Sequence, residues 1–153
     1  MTRLTDEHIE SYFRLASEAR DNAYAPYSNH PVGAVIVDEN DNVYAGCNVE
    51  LANIRTTCAE ANAINQMVLN GGRYIKAVVV VGPSDEYLIT PCGSCRQNIR
   101  EFGDEKTTVY SMWKDGRLGR VQTLNELLPY SFGPENIHAL TPDMESGECD
   151  TSE

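Results

Sequence analysis

Two cysteine motifs, each at the start of a predicted helix, constrain the fold of this chain more than any other feature. The first reads Cys-Ala-Glu at positions 58–60, and the second reads Pro-Cys-Gly-Ser-Cys at 91–95. The spacing of Cys92 and Cys95 places both thiols on one face of a helical turn. If Cys58 joins them on one metal ion, two helix N-termini must meet there, and their positive dipole ends favour thiolates. The fold must therefore bring together the first turns of two helices that are distant in sequence.

The residue types in these motifs suit a zinc site with one open position. Three thiolates leave tetrahedral Zn²⁺ one place for water, which is typical of catalytic zinc. Glu60 could transfer protons there, but a regular helix would put it opposite Cys58, so Cys58 must lie at the helix entry. Alternatives remain open, because cysteines are often buried as apolar residues and a first-turn glutamate is favoured by the helix dipole. A structural zinc module would need Cys47 or His30 as a fourth ligand.

Apolar periodicity and turn signals predict an α/β domain. Helices are predicted over 5–23, 58–69, 91–102 and 124–128, and strands over 32–37, 43–49, 74–82, 107–112 and 119–123. Residues 38–42 are a predicted turn, and residues 51–56 are predicted to be irregular. A hairpin followed by crossover helices implies a mixed five-stranded sheet covered on both faces, which is a three-layer α/β/α fold.

Length, charge and cysteine count favour a single cytoplasmic domain with an acidic tail. The 153 residues suffice for one domain, predicted over 1–140, and residues 141–153 are acidic and predicted to be disordered. No apolar run approaches the ~18–20 residues of a membrane span, and the N-terminus lacks a signal-peptide core. The net charge of −11 opposes nucleic-acid binding. The odd number of cysteines, five, favours metal chemistry over a disulfide framework.

Five sequence blocks resemble the cytidine deaminase family, which contains small zinc-dependent pyrimidine nucleoside deaminases. Besides the two cysteine motifs, they are Ala-Pro-Tyr-Ser-Asn-His-Pro-Val-Gly-Ala at 25–34, Gly-Cys-Asn-Val-Glu at 46–50 and Leu-Leu-Pro-Tyr-Ser-Phe-Gly-Pro-Glu at 127–135. The order of the blocks is more specific than any single motif. The resemblance implies an α/β/α fold, Zn²⁺ as cofactor, and hydrolytic deamination of cytidine and deoxycytidine in pyrimidine salvage. It also implies a homotetramer with shared active sites.

The resemblance assigns the catalytic centre residue by residue. Cys58, Cys92 and Cys95 would bind zinc. Glu60 would take a proton from the zinc-bound water, protonate ring nitrogen N3 and then help ammonia to leave. The small-molecule partner would be a pyrimidine nucleoside.

The resemblance also implies the substrate contacts. The backbone of Ala59 would contact the pyrimidine, Asn48 and Glu50 would hold the ribose hydroxyl groups, and Phe132 would close a pocket, either in its own subunit or in a neighbouring one. Independently, Asn48 and Glu50 alternate at a predicted strand end, so both point to one face, where an amide and a carboxylate suit hydroxyl groups. The alternative for Asn48 and Glu50 is that they form an ordinary polar strand end. The alternative for Phe132 is that it is an ordinary core aromatic residue.

Two positions beside the motifs depart from the usual family pattern. His30 stands where the family has phenylalanine, and we predict that it reshapes the pocket near the base and admits bulkier N4 groups. Ala61 stands where the family has an arginine that offsets the charge of the thiolates. We predict that Arg55 or Arg96 replaces this arginine, with Gln97 as a further donor.

The loop before the first cysteine is a third departure. Asn48 and Cys58 are ten positions apart, one fewer than the commonest family spacing. Blasticidin S deaminases, which act on a modified cytosine nucleoside, are also shortened here, but they normally lack the glutamate found at position 50. An ordinary nucleoside is therefore the first prediction and a modified cytosine nucleoside the second, while small size and negative charge oppose editing of a polynucleotide.

Overall fold

The computed structural model describes residues 3–138, and the described chain contains helices α1 to α5 and strands β1 to β7. The helices are α1 (Asp6–Asp21), α2 (Ala59–Leu69), α3 (Gly93–Phe102), α4 (Leu124–Leu127) and α5 (Pro134–His138). The strands are β1 (Gly33–Asp38), β2 (Val43–Cys47), β3 (Val49–Leu51), β4 (Arg55–Thr57), β5 (Ile75–Val81), β6 (Thr108–Met112) and β7 (Leu118–Thr123). The predicted domain limit at 140 and the predicted disordered tail at 141–153 lie outside these residues.

Five strands form one mixed sheet in the order β2-β1-β5-β6-β7. Strands β5 and β6 are parallel, and the other neighbouring pairs are antiparallel. The parallel pair needs a crossover connection, which α3 provides. Strands β1 and β6 are buried along their whole length, as expected for strands covered on both faces. The predicted mixed five-stranded sheet is confirmed.

Helices cover both faces of this sheet and complete three layers. On one face, α1 packs its apolar side against alternate residues of β1, β5 and β6. On the other face, α2, α3 and α4 pack against the intervening residues of the same strands. Each face therefore has its own hydrophobic core, and the predicted α/β/α architecture is confirmed. Within residues 3–138, no helix is both long enough and apolar enough to cross a membrane.

Two glycines let the first hairpin approach helices in both outer layers. A Cβ atom on Gly33 of β1 would lie 1.8 Å from the carbonyl oxygen of Ala16 in α1. A Cβ atom on Gly46 of β2 would lie 2.4 Å from the carbonyl oxygen of Ala59 in α2. Since the two glycines belong to adjacent cross-strand pairs, they face opposite sides of the sheet. The position of β2 therefore sets how closely the first turn of α2 approaches the sheet.

The structure of residues 51–56 differs from the irregular loop that was predicted from the sequence. It contains the turn and part of both strands of a short β3–β4 hairpin, in which Val49 pairs with Thr57. Ile54 in its turn has a φ of +63°, a left-handed conformation that β-branched residues rarely adopt. No turn signal was visible, because glycine or asparagine normally occupies such a position.

Two predicted element boundaries also shift. The predicted strand at 43–49 divides after Cys47, and Asn48 lies between β2 and β3 instead of continuing one strand. Helix α3 begins at Gly93, so Pro91 precedes the helix and Cys92 is its N-cap, with an extended backbone. The short α5 was not predicted from the sequence.

Candidate active site

Cys58, Cys92 and Cys95 come together as the sequence predicts. Their three sulfur atoms all lie within 4.8 Å of one another, and the sulfurs of Cys58 and Cys92 are 3.9 Å apart. Cys58 and Cys92 are the N-caps of α2 and α3, and neither thiol caps its own helix by a hydrogen bond. Because the first N–H groups of both helices lack helical partners, both positive helix ends are directed at the cysteine group.

Glu60 lies beside the cysteines because Cys58 precedes the first helical residue. The extended backbone of Cys58, with φ −69° and ψ 158°, removes it from the helical repeat that would have separated the two side chains. The Cys95 thiol donates a hydrogen bond of 3.4 Å to Oε2 of Glu60. Glu60 is only 4% exposed, and this burial raises the pKa of its carboxyl group. A buried carboxyl with raised proton affinity suits a group that takes up and releases protons during a reaction.

The chemistry of this group fits a zinc ion. Burial raises the pKa of the Cys58 and Cys95 thiols, and the negative charge of Glu60 raises both further. Ionising them together therefore requires a nearby positive charge, which Zn²⁺ supplies along with a preference for tetrahedral thiolate ligands. In the part of the chain from 3 to 138, neither Cys47 nor His30 belongs to the group of possible ligands. Three protein ligands leave one position open, as in catalytic zinc sites.

A cavity of about 690 Å³ lies in front of the cysteine group. Cys58, Cys92 and Glu60 line it, whereas Cys95 is fully buried. The predicted substrate residues that also line it are His30, Asn48, Glu50 and Ala59. Phe132 does not line this cavity and is 60% exposed elsewhere on the surface.

Several lining residues were missed at the level of sequence. They are Tyr27, Ser28, Thr56, Ile89 and Thr90. Tyr27 and Ser28 belong to the matched block at 25–34, so their place in the cavity could have been anticipated. Thr56 offered no signal, because the hairpin that carries it was predicted to be irregular.

Asn48 holds the loop that precedes β1. Its Oδ1 accepts a hydrogen bond of 2.8 Å from the N–H of Val32, and its Nδ2 donates one of 3.0 Å to the carbonyl of His30. The side chain is therefore fixed at the cavity wall. An amide can donate one more hydrogen bond and accept another, so Asn48 keeps capacity for a ligand.

Glu50 holds the preceding part of the same loop. Its Oε2 accepts hydrogen bonds of 3.1 Å and 3.0 Å from the N–H groups of Tyr27 and Ser28, and the Ser28 hydroxyl donates to Oε1. The bond from the Ser28 hydroxyl, followed by the two N–H bonds, lowers the pKa of Glu50 below its ordinary value. The carboxylate is therefore ionised at neutral pH, and its remaining lone pairs can accept from a ligand.

Arg96 binds the segment that leads into the second cysteine motif. Its Nε donates to the carbonyl of Pro91 at 2.8 Å, and its two terminal nitrogens donate to the carbonyl of Leu127 and the hydroxyl of Thr90 at 2.7 Å and 3.0 Å. These bonds direct the guanidinium to the chain around Pro91. Through them Arg96 supports the backbone just before Cys92.

The other two predicted donors lie in different surroundings. Gln97 donates from Nε2 to the carbonyl of Phe132 at 2.9 Å, and so holds the segment that displays this aromatic ring. Arg55 lines the cavity from β4 and is exposed. Across residues 3–138 the structure shows no hydrogen bond or ion pair for the Arg55 side chain, so its positive charge is available at the cavity.

Comparison with known proteins identifies the family. Residues 6–112 match the model of the cytidine and deoxycytidylate deaminase zinc-binding region. The chain belongs to this family. The family's metal is zinc, and the cysteine group described above is able to hold it. The resemblance deduced from the five sequence blocks is confirmed.

Relatives in this deaminase family match the chain over most of its length. Cytidine deaminase of Sporosarcina psychrophila is 38% identical over 130 residues, which are 84% of this chain and 94% of the relative. A probable cytidine deaminase of Dictyostelium discoideum is 31% identical over 147 residues, or 95% and 97% of the two chains. The crystal structure of cytidine deaminase from Burkholderia pseudomallei superposes with a TM-score of 0.75 at 37% identity, covering 84% of this chain and 100% of the other.

Proposed function

We propose that this protein catalyses the zinc-dependent hydrolytic deamination of cytidine and deoxycytidine to uridine and deoxyuridine, a reaction of pyrimidine salvage. The observation that carries the proposal is the convergence of three thiols and a buried carboxyl group at one cavity. The relatives named cytidine deaminases support the same reaction, since they match nearly their whole length.

The catalytic roles follow from the positions of the four motif side chains. Zinc, held by Cys58, Cys92 and Cys95, supplies Lewis-acid activation of water when it is bound. Glu60 lies against Cys95 and lines the cavity, so it can reach both the attacking water and a bound base. Its carboxylate takes a proton from water as the water oxygen bonds to C4, and delivers this proton to ring nitrogen N3. It then passes the second proton of the same water to the amino group, so that the C4–N bond breaks and ammonia leaves.

The substrate-binding roles rest on the cavity lining. Asn48 and Glu50 hold the sugar hydroxyl groups, because both are fixed in the wall and retain hydrogen-bonding capacity. The backbone of Ala59, at the first turn of α2, contacts the pyrimidine. The His30 ring forms part of the wall beside the nucleoside.

A homotetramer with shared active sites is proposed from the family resemblance and from Phe132. This ring is 60% exposed, yet Gln97 holds its backbone in place. An exposed aromatic residue on a fixed segment suits insertion into a neighbouring subunit, where it would close that subunit's cavity.

Arg55 is the proposed replacement for the arginine that Ala61 lacks. It is a cation at the cavity without a partner among residues 3–138, so it can offset the negative charge that three thiolates place on zinc. Arg96 and Gln97 are proposed to act further out, by holding the chain segments around the site. The net charge of −11 opposes a nucleic acid and so supports a free nucleoside as the partner. A cytoplasmic location without a membrane partner is proposed from the lack of a long apolar run in the sequence.

The direct test is the ultraviolet absorbance of cytidine, which changes when the amino group is lost. The zinc-loaded protein should change the absorbance of cytidine and deoxycytidine, and a chelator should stop the reaction. If cytidine, deoxycytidine and N4-modified analogues all remain unchanged, the proposed activity is wrong.

A modified cytosine nucleoside is the second candidate substrate, favoured by His30 in the cavity wall. An imidazole is smaller than a phenyl ring and leaves room for an N4 substituent. Wild type should therefore accept N4-methylcytidine relatively better than His30→Phe does. Identical ratios of kcat/KM for cytidine and N4-methylcytidine in the two proteins would reject this alternative.

A further inference from the structure

His30 has an aromatic partner that lies outside the set of predicted site residues. Its ring stacks on that of Tyr87, with centroids 6.1 Å apart and planes inclined by 12°. The Tyr87 hydroxyl lies 3.5 Å from Nδ1 of His30. Tyr87 belongs to the loop between β5 and α3, the same loop that leads into Cys92. Two loops that border the cavity are therefore joined through this pair of rings.

The backbone of His30 is fixed by residues that form the cavity wall. Its N–H donates to the Ser28 hydroxyl at 3.1 Å, and its carbonyl accepts from Nδ2 of Asn48 at 3.0 Å. Only the side-chain torsions of His30 remain free, and the stack on Tyr87 restricts them. The ring therefore has a defined position in the wall.

We propose that Tyr87 is a positioning residue, and that it turns His30 into a fixed hydrogen-bond donor in the cavity wall. In this proposal the Tyr87 hydroxyl donates to Nδ1 of His30, which carries no proton. The proton of the neutral ring then resides on Nε2, since only one ring nitrogen carries it. This N–H recognises an acceptor oxygen of the bound nucleoside, a contact that a phenyl ring at this position cannot make.

The inference rests on the proposed function and specifies how that site selects its substrate. In residues 3–138, His30 makes no hydrogen bond to Glu60 or to the cysteine group. Its proposed contact is with an oxygen of the nucleoside and not with the reacting C4 atom or amino group. We therefore expect this contact to be equally strong before and during the reaction, and such binding affects KM more than kcat. Loss of the Tyr87 hydroxyl should consequently weaken substrate binding and leave turnover nearly unchanged.

A double-mutant cycle in the zinc-loaded protein tests this inference. Tyr87→Phe keeps the stacked ring and removes only the hydroxyl, so KM for cytidine should rise about three- to tenfold while kcat changes less than about twofold. In the His30→Phe background the same substitution should change KM less than about twofold, because the acceptor is gone. Tyr74→Phe is the matched control, because it also removes one tyrosine hydroxyl but at the opposite end of β5. It should leave KM unchanged. Equal effects of Tyr87→Phe in both backgrounds, or an equal fall in kcat, would overturn the inference.

Two further measurements separate this inference from the proposed function. The Kd of cytidine, measured by calorimetry with the Glu60→Ala variant, should show the same dependence on Tyr87 and His30 without any turnover. The ¹⁵N spectrum of wild type should show an unprotonated Nδ1 for the signal that disappears in His30→Phe. If wild type does not deaminate but this coupling persists, only the proposed reaction fails. If wild type deaminates but Nδ1 is protonated or the coupling is absent, only the inference fails.

Discussion

The position of each residue within its helix determines the chemistry of the cysteine group. Cys58 and Cys92 are N-caps, so their thiols lie in front of the helices, while Glu60 and Cys95 are in the first turns. A shift of one residue along either helix would rotate Glu60 or Cys95 away from the others by about 100°. The two motifs therefore depend on where the helices begin as much as on residue type.

The first prediction concerns Glu60 as the proton-transfer group. Glu60→Ala should lower kcat for cytidine by about 10²–10⁴-fold or more, because Glu60 is the only carboxyl group in residues 3–138 that is hydrogen-bonded to the cysteine group. Zinc content and far-ultraviolet circular dichroism should stay as in wild type. The control is Glu101→Ala, which removes an exposed carboxylate from α3. Turnover within tenfold of wild type in Glu60→Ala would remove Glu60 from the mechanism.

At the scale of elements, the first turn of α2 takes its position from β2. Gly46 allows the backbones of β2 and α2 to touch near Ala59, between Cys58 and Glu60. Helix α3 is held independently, through Arg96 and the chain before Cys92. The geometry of the proposed zinc ligands thus depends on two separate contacts, one for each helix.

The second prediction compares two glycines that face opposite layers. Gly46→Ala and Gly33→Ala both place a methyl group against helix backbone, so each should lower the free energy of unfolding by about 1–3 kcal/mol or more. Only Gly46→Ala should also lower zinc affinity, since it displaces the turn that carries Cys58, whereas Gly33 faces α1. Urea unfolding and competition with a chromophoric chelator measure the two quantities. Equal zinc affinities in the two variants would contradict the proposed control of α2 by β2.

At the scale of the whole molecule, the proposed zinc ligands come from distant parts of the chain. Cys58 follows the β3–β4 hairpin, and Cys92 and Cys95 follow the central strand β5. These ligands assemble only when the sheet and both helices are formed. Zinc binding should therefore stabilise the folded state over the unfolded state.

The third prediction is that removal of zinc lowers thermal stability. A ligand at a thousandfold excess over its Kd stabilises by about 4 kcal/mol, which corresponds to roughly 8–16 °C in Tm for a chain of this size. Calorimetry with and without a chelator should show a decrease of this order. Cys95→Ser should bind zinc weakly, whereas Cys47→Ser should retain it, because Cys47 lies outside the ligand group. Loss of zinc in Cys47→Ser would instead support a closed structural site.

The fourth prediction concerns acid stability and the buried Asp38. Burial acts to raise its pKa, but hydrogen bonds from Asn42, Asn40 and Tyr44 outweigh burial and lower the pKa below its ordinary value. A carboxyl group whose pKa is lowered in the folded state stabilises that state fully at pH values above its unfolded pKa of about 3.9. This stabilisation is lost as the pH falls through the pKa of the folded state. In urea unfolding of chelator-treated protein, Asp38→Asn should be less stable than wild type at pH 6. The difference should shrink toward pH 3, and a constant difference would contradict the prediction.

Local signals explain which features were predictable. The apolar β-branched run of β5 and the apolar periodicity of α1 are properties of neighbouring residues, so both elements were predicted. The placement of Cys58 at the entry of α2 was also predicted, because Glu60 could otherwise not reach the metal. The β3–β4 hairpin was missed, since its strands are three residues long and Ile54 gives no turn signal.

The sequence by itself determined the types of chemical group, their order and the helix starts on which the cysteines lie. Those features follow from side-chain chemistry and short-range backbone preferences. Only the tertiary structure decided that Tyr87 meets His30, that Arg96 holds the chain before Cys92 and that Arg55 has no partner among residues 3–138 at the cavity. Each of these contacts joins or separates segments that are far apart along the chain, and their distances depend on how the sheet and helices pack.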